Sequence, residues 1–212
     1  MNIISDAVSA YVEAHTTPEG ETLANLSNLT SDKVLLADML SGHLQGQLLT
    51  LISTMLRPAR ILEIGTFTGY SAICLAKGLT PNGKLITIEY NEELEAIIRL
   101  FIDQADISSK IELLFGDAMQ VIPKLEGEFD LIFIDADKKN YLNYYKMLLP
   151  KLSSRGVIIV DNVLWQGKVF DENNSDKETL LLRQFNEYVK NDTCIFKVML
   201  PIRDGLYLIQ KV

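Results

Sequence analysis

The 212-residue sequence is poor in the residue types that build disulfide frameworks and nitrogen- or sulfur-ligated metal sites. It contains two cysteines, far apart at Cys74 and Cys194, and two histidines. Cys74 lies in an apolar helical pattern and Cys194 opens a strand pattern, so we expect core thiols rather than a disulfide or a metal pair. His15 and His43 have no metal-ligand spacing, so the sequence does not indicate a metal site built on histidine.

Long apolar runs and an excess of basic residues are also missing. No run is long enough to span a bilayer, and the first residues lack a basic region followed by an apolar one, so we expect neither a membrane span nor a signal peptide. The net charge of −8 argues against a nucleic-acid partner, although a local basic patch can exist within an acidic total. With 48% hydrophobic residues, the chain can build one sizeable core, and we expect a single cytoplasmic domain.

The most informative feature that is present is a pair of apolar, β-branched runs that end abruptly in polar residues. The first run leads to Asp135 and Asp137, and the second leads to Asp161 and Asn162. Such runs are typical of strands that are buried on both faces of a parallel sheet. Because ligands bind at the carboxyl ends of strands in an open α/β sheet, these four side chains should share one rim. Their hard oxygen atoms suit Mg²⁺ or Ca²⁺.

Strands and helices alternate from residue 60 onward, and two further strands close the chain. This order predicts an α/β fold with a seven-stranded, mostly parallel sheet, an antiparallel edge strand and helices on both faces. The predicted strands are residues 60–64, 84–89, 111–115, 130–134, 157–160, 195–200 and 206–211. The predicted helices are residues 3–14, 23–40 and 43–56, stretches that start near Tyr70, Asn91, Met119 and Tyr141, and one that a capping box at residues 175–178 opens and that ends at Lys190.

A glycine loop follows the first predicted strand and opens a helix. Gly65 would let a ligand approach the backbone closely, and Gly69 would let the start of the helix lie near the strand. The G-x-G-x-x-G dinucleotide fingerprint is not met, and an ordinary strand–helix turn would also need two glycines. Glu89 favours a ligand, because an acid at the end of the second strand can hold the hydroxyls of a ribose. Asp117 and Ala118 add a third loop, where the acid could accept from an adenine amino group.

At these residues the sequence resembles the class I S-adenosylmethionine-dependent methyltransferases, and more closely the cation-dependent O-methyltransferases that include the caffeoyl-CoA and catechol enzymes. The motifs that carry the resemblance are residues 62–71 (LEIGTFTGYS), 88–89 (IE), 116–118 (GDA), 133–138 (FIDADK), 160–162 (VDN) with Trp165, and 200–205 (LPIRDG). The resemblance implies a Rossmann-like methyltransferase fold in one domain. Residues 1–42 would form an N-terminal helical segment covering the active site, and residues 43–212 would form the core. It also implies a homodimer.

The resemblance assigns roles to residues of this sequence. S-adenosylmethionine would be bound by Met39, Ser41, Glu63, Gly65, Ser71, Glu89, Asp117, Ala118 and Asp135. The divalent cation would be held by Asp135, Asp161 and Asn162. Lys138 matches the candidate general base, and Asp204 matches a position that touches the acceptor in some members. Asp137 is compatible with contacting the acceptor, with supporting a metal ligand without touching the metal, or with capping a helix, and Trp165 could form a wall of the acceptor site.

The implied chemistry is methyl transfer to a small aromatic acceptor whose hydroxyl is bound to the cation. A divalent cation lowers the pKa of a bound hydroxyl, and a lysine whose own pKa is depressed by the cation and an apolar pocket can take the proton. Helix capping is the alternative role for Asp135 and Asp161, and solvent exposure is the alternative for Lys138. Val198 stands, in an ungapped reading, where the animal catechol enzymes carry an acid that holds a catechol hydroxyl, which argues against a simple catechol.

Other functions are also compatible with parts of the sequence. Methylation of a nucleotide hydroxyl in tRNA could use the same scaffold, but the net charge of −8 argues against it. A nicotinamide dehydrogenase is disfavoured by the missing glycine fingerprint. A non-catalytic binding module is disfavoured by the intact set of acids.

Overall fold

One seven-stranded sheet runs through the computed structural model, which describes residues 5–212. The strands are β1 (Arg60–Ile64), β2 (Lys84–Glu89), β3 (Ile111–Phe115), β4 (Phe129–Ile134), β5 (Leu152–Val160), β6 (Ile195–Leu200) and β7 (Leu206–Lys211). Their order in the sheet is β3-β2-β1-β4-β5-β7-β6. β7 runs antiparallel to its neighbours β5 and β6, whereas β1 to β5 pair in parallel. The predicted α/β fold is therefore confirmed, and its antiparallel strand lies one position in from the edge.

The helices differ from the prediction mainly near the N-terminus. They are α1 (Asp6–Ala14), α2 (Glu21–Lys33), α3 (Gly42–Leu56), α4 (Tyr70–Ala76), α5 (Glu95–Gln104), α6 (Ala118–Val121), α7 (Tyr141–Leu148) and α8 (Lys177–Asn191). The start predicted at Ile3 lies outside the described residues. The helix predicted over residues 23–40 is wrong in its second half: α2 ends at Lys33, Leu36 adopts a left-handed conformation, and a short 3-10 helix follows at Ala37–Met39.

Two smaller expectations are also corrected. The cap of α8 is Asp176 rather than Ser175, because Asp176 accepts hydrogen bonds from both the backbone and the hydroxyl of Thr179. Cys74 is buried as expected, but Cys194 is exposed.

Alternation along the strands produces two apolar cores, one on each face of the sheet. In β4, Leu131 and Phe133 face the core formed with α2 to α5, whereas Ile132 and Ile134 face the core formed with α7 and α8. All four side chains are fully buried, as expected for a parallel strand that is covered on both faces. The carboxyl end of β4 is therefore held rigidly from both sides. No helix of the described residues is long and apolar enough to cross a membrane.

The residues that follow the central strands are locked to one another at one rim of the sheet. Each continues the ladder by donating its backbone N–H to a neighbouring strand. The bonds are Gly65 to Ile88 (3.0 Å), Gly116 to Glu89 (2.8 Å), Asp135 to Ile64 (2.9 Å) and Asp161 to Ile134 (2.9 Å). These contacts bring the glycine loop and both carboxylate-bearing loops together.

Candidate active site

The glycine loop touches the loop of Asp135 through backbone atoms. Gly65 has a φ of 93°, and a β-carbon there would lie 1.8 Å from the carbonyl oxygen of Asp135. Only glycine satisfies both the left-handed backbone and this close approach. The loop after β1 can therefore lie directly against the loop after β4.

Glu63 lies beneath the glycine loop as a fully buried carboxyl group. Its Oε2 accepts a hydrogen bond from Thr87 Oγ1 at 2.5 Å, and Ser71 also contacts the carboxyl group. Burial raises the pKa of Glu63 to about 8, and its Oε1 has no hydrogen-bond partner. A buried carboxyl oxygen without a partner fits a positively charged ligand group, such as the ammonium of a methionine moiety.

Glu89 is fixed at the end of β2 by two backbone donors. Its Oε2 accepts from the N–H of Phe67 at 2.7 Å, and its Oε1 accepts from the N–H of Asn91 at 2.9 Å. These bonds hold the carboxylate beside the glycine loop, and each oxygen keeps a further lone pair for a ligand hydroxyl. Asp117 in the third loop accepts from Met119 N–H at 2.9 Å and caps α6, which starts at the buried Ala118.

The segment that carries Met39 and Ser41 is clamped by Arg203, a residue that sequence reasoning missed. The Arg203 guanidinium donates to the carbonyl oxygen of Leu40 at 2.5 Å and to that of Ser41. Ser41 is buried and Met39 is half-exposed. The loop between β6 and β7 therefore holds the start of α3 in place.

Three oxygen-bearing side chains converge on Lys138. Its Nζ donates to Asn162 Oδ1 at 2.6 Å, to Tyr141 Oη at 2.7 Å and to Asp135 Oδ1 at 3.1 Å. The structure therefore brings together the predicted base and two of the three predicted metal ligands. The contact of Lys138 with Tyr141 was not predicted.

Asp161, the third predicted metal ligand, is buried beside this cluster. Its Oδ2 accepts from Gln45 Nε2 at 2.5 Å, and its Oδ1 accepts from the backbone N–H of Asn162 at 2.6 Å. Burial, together with the nearby charge of Asp135, raises the pKa of Asp161 to about 7. Neither this carboxylate nor that of Asp135 caps a helix, so the capping alternative is not supported.

Asn162 is oriented by Asp204. The two side chains are hydrogen-bonded. Burial raises the pKa of the half-buried Asp204 above its usual value, and it outweighs the hydrogen bonds and nearby positive charges, which lower this pKa. The carboxylate can accept only from the amide nitrogen of Asn162, which leaves the amide oxygen facing Lys138. Asp204 also accepts from the backbone N–H of Gln166.

Backbone strain is concentrated around this cluster. Asn162, Trp165, Gln166 and Arg203 all adopt left-handed φ values between 48° and 57°, which is uncommon for residues other than glycine. Trp165 lies near Lys138, whose Nζ is 5.8 Å from the centre of the indole ring, and its Nε1 has no hydrogen-bond partner.

Asp137 accepts hydrogen bonds from two side chains that follow it in the sequence. Its Oδ1 accepts from Tyr144 Oη at 2.6 Å, and its Oδ2 accepts from Asn140 Nδ2 at 2.7 Å. These contacts anchor the start of α7. The acceptor role for Asp137 stays a prediction.

The apolar pocket alone is not enough to depress the pKa of Lys138; the expected depression also depends on a bound cation. Burial by itself lowers the pKa of Lys138, but Tyr141 and Asp135 outweigh burial and raise it above its usual value. The side chain is therefore an ammonium at neutral pH in this arrangement. The sequence expectation took account of the apolar pocket and the cation but not of Tyr141.

The donor set around Lys138 fits a divalent cation. An ammonium bridges Asp135 Oδ1 and Asn162 Oδ1, so these oxygens already form a site for a positive charge. Carboxylate and amide oxygens are ligands that Mg²⁺ and Ca²⁺ prefer. Among residues 5–212, no group of three or more histidine, cysteine, aspartate or glutamate side chains could hold a metal ion, so a cation here would depend on an amide oxygen as well as carboxylates.

Comparisons with known proteins identify the family of the chain. The family model described as O-methyltransferase matches residues 12–212. Catechol O-methyltransferase of Niastella koreensis is 35% identical over 206 residues, which cover 95% of this chain and 92% of that protein. Caffeoyl-CoA O-methyltransferase of Eucalyptus gunnii is 33% identical over 221 residues, which cover 98% of this chain and 88% of that protein.

Solved structures show the same similarity. The SAH-bound methyltransferase PaMTH1 of Podospora anserina superposes with a TM-score of 0.89 at 31% identity, covering 98% of this chain and 94% of that one. The O-methyltransferase TomG from Streptomyces achromogenes, in complex with SAM, has a TM-score of 0.87 at 29% identity, covering 97% and 96%. The chain therefore belongs to the O-methyltransferase family and is an S-adenosylmethionine-dependent O-methyltransferase.

Proposed function

We propose that this enzyme transfers a methyl group to a hydroxyl of a catechol-like or other small aromatic acceptor that is bound to a divalent cation. The observation that carries the proposal is the pair of oxygens, Asp135 Oδ1 and Asn162 Oδ1, that already holds a positive charge at 3.1 and 2.6 Å. This pair lies at the same rim as the glycine loop, because Gly65 approaches the backbone of Asp135. Cation, acceptor and methyl donor would thus meet at one place.

The methyl donor would lie along the carboxyl ends of β1, β2 and β3. Glu63 would pair with the amino group of the methionine moiety, and Glu89 would accept from the ribose hydroxyls. Asp117 and Ala118 would contact the adenine, and the clamped segment with Met39 and Ser41 would cover the methionine end. The Oε1 atom of Glu63 supports this orientation of the methyl donor, because it is a buried acceptor without a partner that the positively charged amino group would satisfy.

A bound divalent cation would lower the pKa of the acceptor hydroxyl and fix its position. Asp135, Asp161 and Asn162 would hold that cation, with Mg²⁺ or Ca²⁺ as the expected ion. Trp165 would form an apolar wall that orients an aromatic ring and excludes water. Positioning of this kind can contribute about 7–11 kcal/mol relative to a bimolecular encounter.

Lys138 would take the proton from the acceptor hydroxyl. With the cation bound, Lys138 would lose Asp135 and Asn162 as partners and would face a like charge, and both changes lower its pKa. The neutral amine could then accept a proton, with Tyr141 holding it in position at 2.7 Å. The raised pKa of Lys138 would apply only to the arrangement in which Lys138 itself contacts Asp135 and Asn162.

The names of similar proteins support an aromatic acceptor with neighbouring oxygens, since they include catechol and caffeoyl-CoA O-methyltransferases. Val198 lies on β6, where its side chain is 42% exposed and offers no acid for a second hydroxyl. We therefore favour an acceptor larger than catechol itself. A tRNA nucleotide hydroxyl is the second candidate, and the net charge of −8 argues against it. A homodimer and a cytoplasmic location stay predictions.

A methyl-transfer assay with labelled S-adenosylmethionine and Mg²⁺ would test this proposal. The panel should contain simple catechols, larger vicinal-diol phenols, monophenols and bulk tRNA. We expect label in the vicinal-diol phenols and little in the monophenols, because one oxygen cannot chelate the cation. Transfer to tRNA alone would replace the proposed acceptor with the second candidate.

Glu89→Ala is expected to weaken binding of S-adenosylmethionine without abolishing folding. The variant removes an acceptor for the ribose hydroxyls, and a hydrogen bond to a charged group contributes about 1.5–3 kcal/mol. The affinity loss should be measured by calorimetry, with and without Mg²⁺, and should be the same in both. An unchanged affinity would exclude Glu89 from the ribose site.

A further inference from the structure

Gln45 makes a side-chain hydrogen bond to Asp161 from a helix outside the loops of the site. It lies one turn into α3, where its side chain is 1% exposed, and Asp161 is 3% exposed. Its Nε2 donates to Asp161 Oδ2 at 2.5 Å across 116 residues of sequence. Both groups are removed from water, so this hydrogen bond has no solvent competitor.

The backbone that carries Gln45 has little freedom to move. The next residue, Gly46, lies so close to α4 that a β-carbon there would be 2.5 Å from Tyr70 Cε1. The start of α3 is held by Arg203, which donates to the carbonyl oxygens of Leu40 and Ser41. Gln45 is therefore a fixed donor rather than a side chain that follows Asp161.

The contact also determines how the carboxylate of Asp161 is turned. The amide nitrogen of Gln45 can only donate, so it holds Oδ2, while the backbone N–H of Asn162 holds Oδ1 at 2.6 Å. Two donors on different elements fix the plane of the carboxylate. The side chain of Asn162 is also oriented by a hydrogen bond, because Asp204 accepts from its amide nitrogen.

We propose that Gln45 is a positioning residue that orients Asp161 for the divalent cation and thereby sets the affinity of the site for that cation. This inference rests on the proposed function, because it takes Asp161 as a ligand. Groups that hold a metal ligand in place typically change metal affinity or activity by about 10–100-fold when they are removed. Gln45 would act only through Asp161 and would not contact the cofactor.

The opposing explanation is that Gln45 merely satisfies a buried carboxylate and stabilises the fold. In that case its loss would lower the temperature of unfolding and would change cation and cofactor affinity together or leave both unchanged. A positioning role would instead lower the affinity for the cation alone. The two explanations differ in a quantity that can be measured without turnover.

Gln45→Met is the main test, because it keeps the length and volume of the side chain and removes the donor. We expect calorimetry with Mg²⁺ or Mn²⁺ to show an affinity about 10-fold or more below that of the unchanged enzyme. Binding of S-adenosylhomocysteine in the presence of a chelator should be unchanged. Gln47→Met is the matched control on the same helix, since Gln47 donates to the carbonyl oxygen of Pro18 at 2.9 Å in an exposed contact, and it should bind the cation normally.

Asp161→Asn separates failure of this inference from failure of the proposed function. If Asp161→Asn binds the cation as tightly as the unchanged enzyme, the metal site itself is assigned wrongly. If Asp161→Asn loses the cation but Gln45→Met binds it normally, the positioning role is overturned. Should Gln45→Met fail to fold, Gln45→Asn decides, because it keeps the amide but withdraws it by one methylene and should show the same selective loss.

Discussion

Exhaustive chelation is expected to abolish methyl transfer, and added Mg²⁺, Mn²⁺ or Ca²⁺ should occupy the site again. Asp135 and Asn162 already converge on one positive charge, and Asp161 is buried beside them. In the proposed reaction these oxygens hold the cation that makes the acceptor hydroxyl acidic. Without it, the acceptor would have neither a fixed position nor a lowered pKa. A structure with the ion bound should show oxygen distances of roughly 2.0–2.6 Å, depending on the ion.

The chelated enzyme should still bind S-adenosylhomocysteine, which provides the control for this experiment. Glu63 and Glu89, the predicted cofactor contacts, are held by Thr87 and by backbone N–H groups rather than by the cation ligands. Asp135→Asn should reproduce the loss of turnover, because it removes a charged ligand while keeping the side-chain volume. Full activity after chelation would refute the requirement for a cation.

The central strands could be predicted from sequence because they are buried on both faces. The predicted bounds match those of the structure for five of the seven strands, including Arg60–Ile64 and Lys84–Glu89. Only β4 and β5 begin earlier than predicted, and β5 does so because polar residues precede its apolar half. The position of the ligand-binding rim could be predicted from the strands, since ligands bind at the carboxyl ends of parallel strands.

The surroundings of the site could not be predicted in the same manner. Gln45 and Arg203 reach their partners across 116 and 163 residues, and no local pattern marks either one as a contact. The end of α2 was missed because apolar residues continue past Lys33, although Leu36 is left-handed there. Sequence periodicity reports burial, but it does not report which distant polar atoms meet.

The same limit applies to the pKa of Lys138 in the absence of a cation. Its apolar surroundings could be read from sequence and lower its pKa, but Tyr141 and Asp135 act in the opposite direction and outweigh them. Tyr141 follows Lys138 by three residues, but no sequence pattern marks it as a partner of the lysine. The balance between burial and specific partners requires atomic positions.

Lys138→Ala is expected to reduce turnover by about 10²–10⁴-fold, the range for a positioned proton acceptor. Affinity for S-adenosylmethionine should be unchanged. Affinity for the cation should not fall, because the removed ammonium bonds to Asp135 and Asn162 and would compete with the cation for those oxygens. The defect should shrink as the pH rises toward the pKa of the acceptor, because an acceptor that is already ionised no longer needs a base. A pH–rate profile measured at saturating cation would show this convergence.

Lys139→Ala is the matched control for this prediction. Lys139 is the adjacent residue, but its side chain is 68% exposed and lies 3.8 Å from Asp137 rather than among the cation ligands. Its loss should therefore have little effect at any pH. If the two variants behave alike, or if the Lys138 defect is the same at every pH, Lys138 only shapes the site. Deprotonation of the acceptor would then depend on the cation alone, and the buried ammonium would serve to hold Asp135 and Asn162 together.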